Sequence, residues 1–111
     1  MNVVLLHGVL SRAAERRELP SGSSLVAYEV TTKETEATLT VPVVWFDAPA
    51  SAELEAGTEV VVTGCVRRRY FRTGTGTASR TEVVASQVVP ARQRKKVQAL
   101  VESTASRVLT M

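Results

Sequence analysis

The chain has 111 residues, of which 44% are hydrophobic and 23% charged, a composition typical of one folded domain and not of a disordered segment. The net charge is +3, but residues 67–96 hold nine basic residues and one acidic residue, Glu82, so this stretch carries +8 and the remainder −5. The single cysteine excludes an intrachain disulfide, and no apolar run approaches the about 18 residues of a membrane span. We therefore expect a soluble, cytoplasmic protein with a polyanionic partner.

The first half of the chain predicts strands. Residues 2–11 are β-rich, and Gly8 inside this run predicts a bend or bulge. Residues 12–19 are more polar and are interpreted as the second half of the same bent strand. A turn leads to an alternating strand over 24–32, and a short polar connection at 33–36 leads to a strand over 37–46. Pro42 predicts an edge position or a bulge in that strand, because proline cannot donate to a ladder.

The second half predicts a helix, a long hairpin and another helix. Residues 47–56 are rich in alanine and acids, and they predict a short helix that starts near Asp47 or Ser51 and stops at Gly57. Two strand-like runs, 59–72 and 80–89, form a hairpin with a small, polar tip at 73–79 that we expect to be mobile. After Pro90, apolar residues recur at spacings of three and four, which predicts a helix packed on its own barrel or on a sister subunit.

This order of elements predicts the fold class. Five strands, a short helix between the third and fourth, and a long final hairpin are typical of a mainly β, five-stranded OB-fold barrel. We expect residues 1–90 to form this barrel as one domain and residues 91–111 a basic, amphipathic helical extension. The basic run at 92–96 is unfavourable at a helix N-terminus by about 0.3–1 kcal/mol. Either the helix starts later or this run serves a partner.

The outgoing strand of the hairpin carries the candidate site. Arginines and aromatics are interleaved along residues 67–72, and strand alternation places Arg67, Arg69 and Phe71 on one face. On the opposite face we expect Val66 to be buried in the core and the following residues, Arg68 and Tyr70, to be exposed to solvent. Cations for phosphates and rings for bases are what a single-stranded nucleic acid needs.

The sequence does not indicate an enzyme. It has no recognisable nucleophile–base pair, no motif of paired carboxylates and no phosphate-cradling loop, since the Gly74/Gly76 pair lacks the following lysine and hydroxyl residue. The single histidine, His7, has no accompanying Cys or His at metal-ligand spacing. We expect no cofactor and no metal.

Five segments occur in an order and spacing that resemble a known family. They are NVVLLHGVL at 2–10, ERRELPSG at 15–22, VVW at 43–45, GTEVVVTGCVR at 57–67 and RTEVVA at 80–85. Over residues 2–90 the chain is similar to the bacterial single-stranded DNA-binding proteins. The resemblance implies an OB-fold barrel without catalysis, sequence-tolerant binding of single-stranded DNA in replication, repair and recombination, and assembly into dimers or tetramers.

The resemblance also implies where bases stack, namely at the ends of the third and fourth strands. The fourth-strand position falls on Phe71. The third-strand position falls on Trp45 or its neighbour Phe46, which face opposite ways, and we favour Trp45. The full set of candidate nucleic-acid-binding residues is Phe71, Arg69, Arg67, Trp45, Arg72, Arg80, Phe46, Arg17 and Lys33.

The chain departs from the family in two places. The connection at 33–36 is much shorter than the family's long hairpin and carries no aromatics, so we expect a smaller binding surface. A glycine-rich tail with an acidic, Phe-ended tip is absent from this sequence, so recruitment of partner enzymes through such a tip is not expected. The sequence leaves open whether the ligand is DNA or RNA. It also leaves open a protein-interaction or assembly module of the replication machinery with weak or no strand binding.

Overall fold

The computed structural model describes residues 1–110, which form a β-barrel followed by a helix. Within this range there are six strands and one α-helix: β1 Val4–Leu10, β2 Glu15–Glu18, β3 Ser24–Lys33, β4 Thr38–Phe46, β5 Glu59–Thr73, β6 Gly76–Pro90 and α1 Arg94–Leu109. The sheet order is β1-β5-β6-β4-β3-β2, and an additional β1–β3 pairing closes it into a ring. Because β1 and β2 are the two halves of one bent strand, the ring is the predicted five-stranded OB-fold barrel.

The bend in the first strand depends on Gly8. β1 pairs with β5 from Val4 to Val9, and at its end Val9 and Leu10 also pair with Thr31 and Val30 of β3. A Cβ on Gly8 would lie 2.5 Å from the carbonyl oxygen of Thr31 and 2.9 Å from Cγ1 of Val30. Only a residue without a side chain allows β1 to approach β3 this closely, and the predicted bend is confirmed.

Pro42 lies at an open edge, as its sequence context predicts. It pairs with Glu29 of β3 on one side, whereas β4 meets β6 only through the parallel pairs that begin at Val43. The missing N–H of proline therefore interrupts no ladder.

The core lies inside the ring and consists mainly of valines. Val26, Val30, Val43 and Val60 are completely or almost completely buried, and each such side chain contributes about 1.5–3 kcal/mol relative to an exposed one. Tyr28 closes one end of the core, and its hydroxyl donates a hydrogen bond of 2.8 Å to the carbonyl of Ala52. Burial raises the pKa of Tyr28 far above its ordinary value, so this hydroxyl stays protonated and remains a donor.

The helix predicted over 47–56 is wrong in extent, because the structure has only a 3-10 turn at Ala50–Ala52. Pro49 precedes this turn and Asp47 adopts a positive φ of 52°, so neither predicted starting residue begins a helix. The carbonyl of Ala52 is taken by the hydroxyl of Tyr28 and by the backbone N–H of Leu54. These bonds to Ala52 replace the one that a continuing helix would make.

The hairpin is longer than predicted. Residues 73–79 were expected to be a mobile tip, yet the β5–β6 ladder runs to the pair Thr73–Gly76 and leaves a turn of two residues. The threonines of this segment suit a strand, and the adjoining ladder fixes their register. Val66 also differs from its prediction: it is 41% exposed, because here the hairpin leaves the barrel and no core covers the side chain.

Helix α1 packs on the outside of the barrel. Leu100 and Val97 cover Val61 of β5 and Val89 of β6, whereas Val101 farther along the apolar stripe is exposed. The helix begins at Arg94, so its first turn is basic and contains no acidic residue. The basic run thus lies partly inside the helix and not wholly before it.

Candidate nucleic-acid interface

A groove of about 430 Å³ runs along the outer face of the barrel, where the β5–β6 hairpin projects past β3 and β4. We call it the arginine groove. Its charged lining comprises five arginines and four glutamates, Arg12, Arg17, Arg67, Arg69, Arg80, Glu15, Glu18, Glu29 and Glu82, and its aromatic residues are Phe46 and Tyr28. The lining therefore carries a net charge of only +1.

Glu82 is the centre of this charge distribution. Its side chain is 2% exposed, and its Oε2 accepts hydrogen bonds from Nε and Nη2 of Arg67 at 2.9 and 2.7 Å. Nε of Arg69 lies 3.6 Å from the same oxygen, and Nε of Arg80 lies 3.8 Å from Oε1. One buried carboxylate thus gathers three guanidinium groups, each of which remains between 39% and 46% exposed.

A second carboxylate, Glu29, extends this cluster along β3. Its Oε1 lies 3.8 Å from Nη2 of Arg80 and 3.7 Å from Nη2 of Arg12. Arg80 therefore lies between Glu29 and Glu82 and is positioned by both. The arginines of the groove are partly neutralised within the protein itself.

Two arginines stack on phenylalanine rings. The guanidinium carbon of Arg67 is 5.2 Å from the centroid of Phe46, and that of Arg69 is 5.4 Å from the centroid of Phe71. Contacts of this kind stabilise by about 0.5–1 kcal/mol at exposed sites. Phe46 and Phe71 are 36% and 39% exposed, so each ring keeps free surface beside its guanidinium. The arrangement offers flat apolar surface and positive charge side by side.

Trp45, the favoured third-strand candidate, lies outside the arginine groove. Trp45 packs against the barrel core and lines a separate groove beneath α1, whereas Phe46 faces the arginine groove. The reason is strand alternation, because Val43 is buried in the core and Trp45, two residues on, points to the same side. Of the two neighbours, the structure brings Phe46, and not Trp45, to the arginines.

The remaining sequence candidates divide into two groups. Arg17 and Arg80 line the arginine groove, and Nε of Arg17 lies 3.4 Å from Oε1 of Glu15. Arg72 is exposed farther along the hairpin, opposite Thr77, and Lys33 is exposed at the end of β3. The structure therefore brings five candidates together in the groove, namely Arg67, Arg69, Phe46, Arg80 and Arg17. Phe71 lies beside the groove through its stacking contact with Arg69, and Arg72, Lys33 and Trp45 lie outside it.

Sequence reasoning missed the acidic residues of the site. In the sequence Glu82 stands out only as the one acid of the basic stretch, and nothing there indicates a role for it. The hairpin register supplies the missing signal, because Arg67 is directly opposite Glu82 and Arg69 is opposite Arg80. Directly opposed residues share a face of the ladder, so a correct register places Glu82 among the arginines.

Comparison with known families decides the wider assignment. A sequence model of the single-strand binding protein family matches residues 1–91. The chain belongs to the single-strand binding protein family. Members of this family bind single-stranded DNA and are binding proteins, not enzymes. The comparison with curated proteins gives no match.

Two features are absent from residues 1–110. No helix in this range is long and apolar enough to cross a membrane. In the same residues no three His, Cys, Asp or Glu side chains come together as a possible metal site.

Proposed function

We propose that this member of the family binds single-stranded DNA in the arginine groove. Phe46 and Phe71 stack on bases, and Arg67, Arg69 and Arg80 contact phosphates. Arg17, Arg72 and Lys33 lie farther from the two rings and supply additional positive charge along the strand's path.

The observation that carries this proposal is the pair of arginine–phenylalanine stacks on one face of the barrel. A single strand presents alternating phosphates and flat bases, and these stacks present guanidinium groups beside exposed rings. Stacking of a base on an aromatic side chain contributes about 1–3 kcal/mol and tolerates any base. The binding is therefore sequence-tolerant, which suits a role in replication, repair and recombination on the DNA of the cytoplasmic nucleoid.

The test is a salt titration with dT oligomers of graded length. With about three to five phosphate contacts, the slope of log K against log salt should be about −2 to −3.5, because single strands contribute about −0.7 per phosphate. Parallel rU oligomers separate DNA from RNA, since the same groove geometry suits both. Absence of binding at low salt would contradict the proposal and favour a protein-interaction module of the replication machinery.

We also propose that the protein is a homo-oligomer, a dimer or tetramer, assembled through the open edge of β1. On one side β1 pairs with β5, but on the other only Val9 and Leu10 pair with β3. Leu5 is exposed on this strand. An unpaired edge that carries apolar side chains is a site for strand addition by a second copy.

The molar mass in solution checks this assembly. Light scattering should give a multiple of the 12.0 kDa chain mass, and Leu5→Lys should lower it. Val108→Lys, at an exposed apolar position on α1, is the control and should leave the mass unchanged. A monomeric mass for the wild-type protein would rule the assembly out.

A further inference from the structure

Glu82 is an unusual residue for a surface that binds a polyanion. Of the charged residues that the structure describes, it is the one whose side chain is buried, although it lies on the face that meets DNA in the proposed function. Burying a carboxylate is costly unless close cations compensate it. Arg67 supplies two charge-assisted hydrogen bonds to one oxygen of Glu82, which is the strong form of such a contact.

The same guanidinium groups face solvent on their other side. Arg67, Arg69 and Arg80 surround Glu82 from within 4 Å, yet their side chains remain 39–46% exposed. A phosphate that approaches from solvent therefore contacts guanidinium groups that already interact with Glu82 on their buried side. Carboxylate and phosphate oxygens accept from guanidinium in the same geometry, so the two anions compete for the same charge.

The competition is not equal among the three arginines. Arg67 has two of its five N–H groups bonded to Glu82. Nε of Arg69 and Nε of Arg80 lie 3.6 and 3.8 Å from the Glu82 carboxylate, so these two arginines interact with its charge but form no short hydrogen bond. Glu82 therefore competes with a ligand phosphate most strongly for Arg67. It also keeps three like charges close together, which would otherwise repel one another.

We propose that Glu82 acts as an internal counter-ion of the arginine groove. In the free protein it holds the three guanidinium groups in place, and it competes with DNA phosphates for them. It therefore limits both the affinity for single-stranded DNA and its dependence on salt. This inference rests on the proposed function, and it assigns Glu82 as a positioning residue that contacts no base.

The substitution Glu82→Gln tests the inference, because it keeps the shape and one acceptor for Arg67 but removes the charge. Affinity for a dT oligomer at low salt should rise roughly threefold to tenfold, the effect of one unit charge about 6 Å away in a largely aqueous dielectric. The slope of log K against log salt should become steeper by about 0.7, as expected for one additional phosphate contact.

The matched control is Glu102→Gln, which removes the same charge from an exposed position on α1. Its affinity and slope should equal those of the wild type, which excludes an effect of net charge alone. If Glu82→Gln folds and shows an unchanged slope, or binds more weakly, Glu82 serves only the stability of the hairpin and the inference is overturned. If the wild type itself does not bind at low salt, the proposed function fails instead.

A measurement on the wild-type protein covers the case in which Glu82→Gln does not fold. The carboxyl ¹³C resonance of Glu82 and the Nε–H resonance of Arg67 should both shift when the protein is saturated with a dT oligomer, because phosphates draw the guanidinium away from the carboxylate. The carboxyl resonance of Glu102 should not move. Binding without a shift at Glu82 and Arg67 would overturn the inference.

Discussion

Replacing Arg69 and Phe71 together by alanine should weaken binding of a dT oligomer about 100-fold. Loss of one stacked base removes about 1–3 kcal/mol, and loss of one phosphate contact adds roughly 1 kcal/mol at moderate salt, where an exposed ionic contact is partly screened. The slope of log K against log salt should become shallower by about 0.7. Fluorescence anisotropy of a labelled oligomer across a salt series measures both quantities.

The same strand provides a matched control. Arg68→Ala with Tyr70→Ala also removes one arginine and one ring, but from the opposite face of β5, where Tyr70 is 66% exposed. We expect this pair to change affinity less than fivefold. Equal losses from the two double variants would show that the hairpin attracts the strand by charge on both faces, and that the face bearing Arg69 and Phe71 has no special role.

The largest expected effect on folding is that of Gly64→Val. Gly64 lies in β5 opposite Ala85, and a Cβ at this position would overlap the carbonyl oxygen of Val84 and lie 2.9 Å from Cα of Ala85. Both are backbone atoms that cannot rotate away, so the β5–β6 ladder must open beside its bulge at Thr63/Gly64. We expect a loss of about 3–5 kcal/mol in the free energy of unfolding, in the range of the most damaging single substitutions.

Urea denaturation of the two glycine variants separates this clash from a general loss of glycine. Gly74 is in the hairpin turn, and a Cβ there would meet nothing within 4 Å. Gly74→Val should therefore change stability by no more than about 0.5 kcal/mol. A folded Gly64→Val protein with the urea midpoint of the wild type would contradict this prediction. It would mean that the β5–β6 ladder relaxes around the added side chain at little cost.

The arginine groove differs from a simple basic patch. Its arginines are held by glutamates, and two of them lie over phenylalanine rings. The rings and cations are thus already close together in the free protein, so less side-chain entropy is lost on binding than for arginines without such partners. The same carboxylates offset part of the positive charge. If the proposed function holds, we expect affinity to depend on stacking at least as much as on charge.

The amino-acid sequence by itself determined the features that depend on local periodicity. Alternation along residues 59–72 placed Arg67, Arg69 and Phe71 on one face, and the order of strands and turns indicated the barrel. Gly8 and Pro42 marked the bend and the edge because their covalent structure limits what the backbone can do there. These signals extend over a few residues and need no knowledge of distant partners.

Only the tertiary structure decided the features that depend on which strands meet. It turned Trp45 inward and Phe46 toward the arginines, since the side of β4 that is covered is set by closure of the ring. It reduced the helix at 47–56 to one 3-10 turn, where the hydroxyl of Tyr28, from β3, donates to the carbonyl of Ala52. It also brought Glu82 among three arginines, and this cluster follows from the hairpin register, which pairs Arg67 with Glu82, 15 positions away in the sequence.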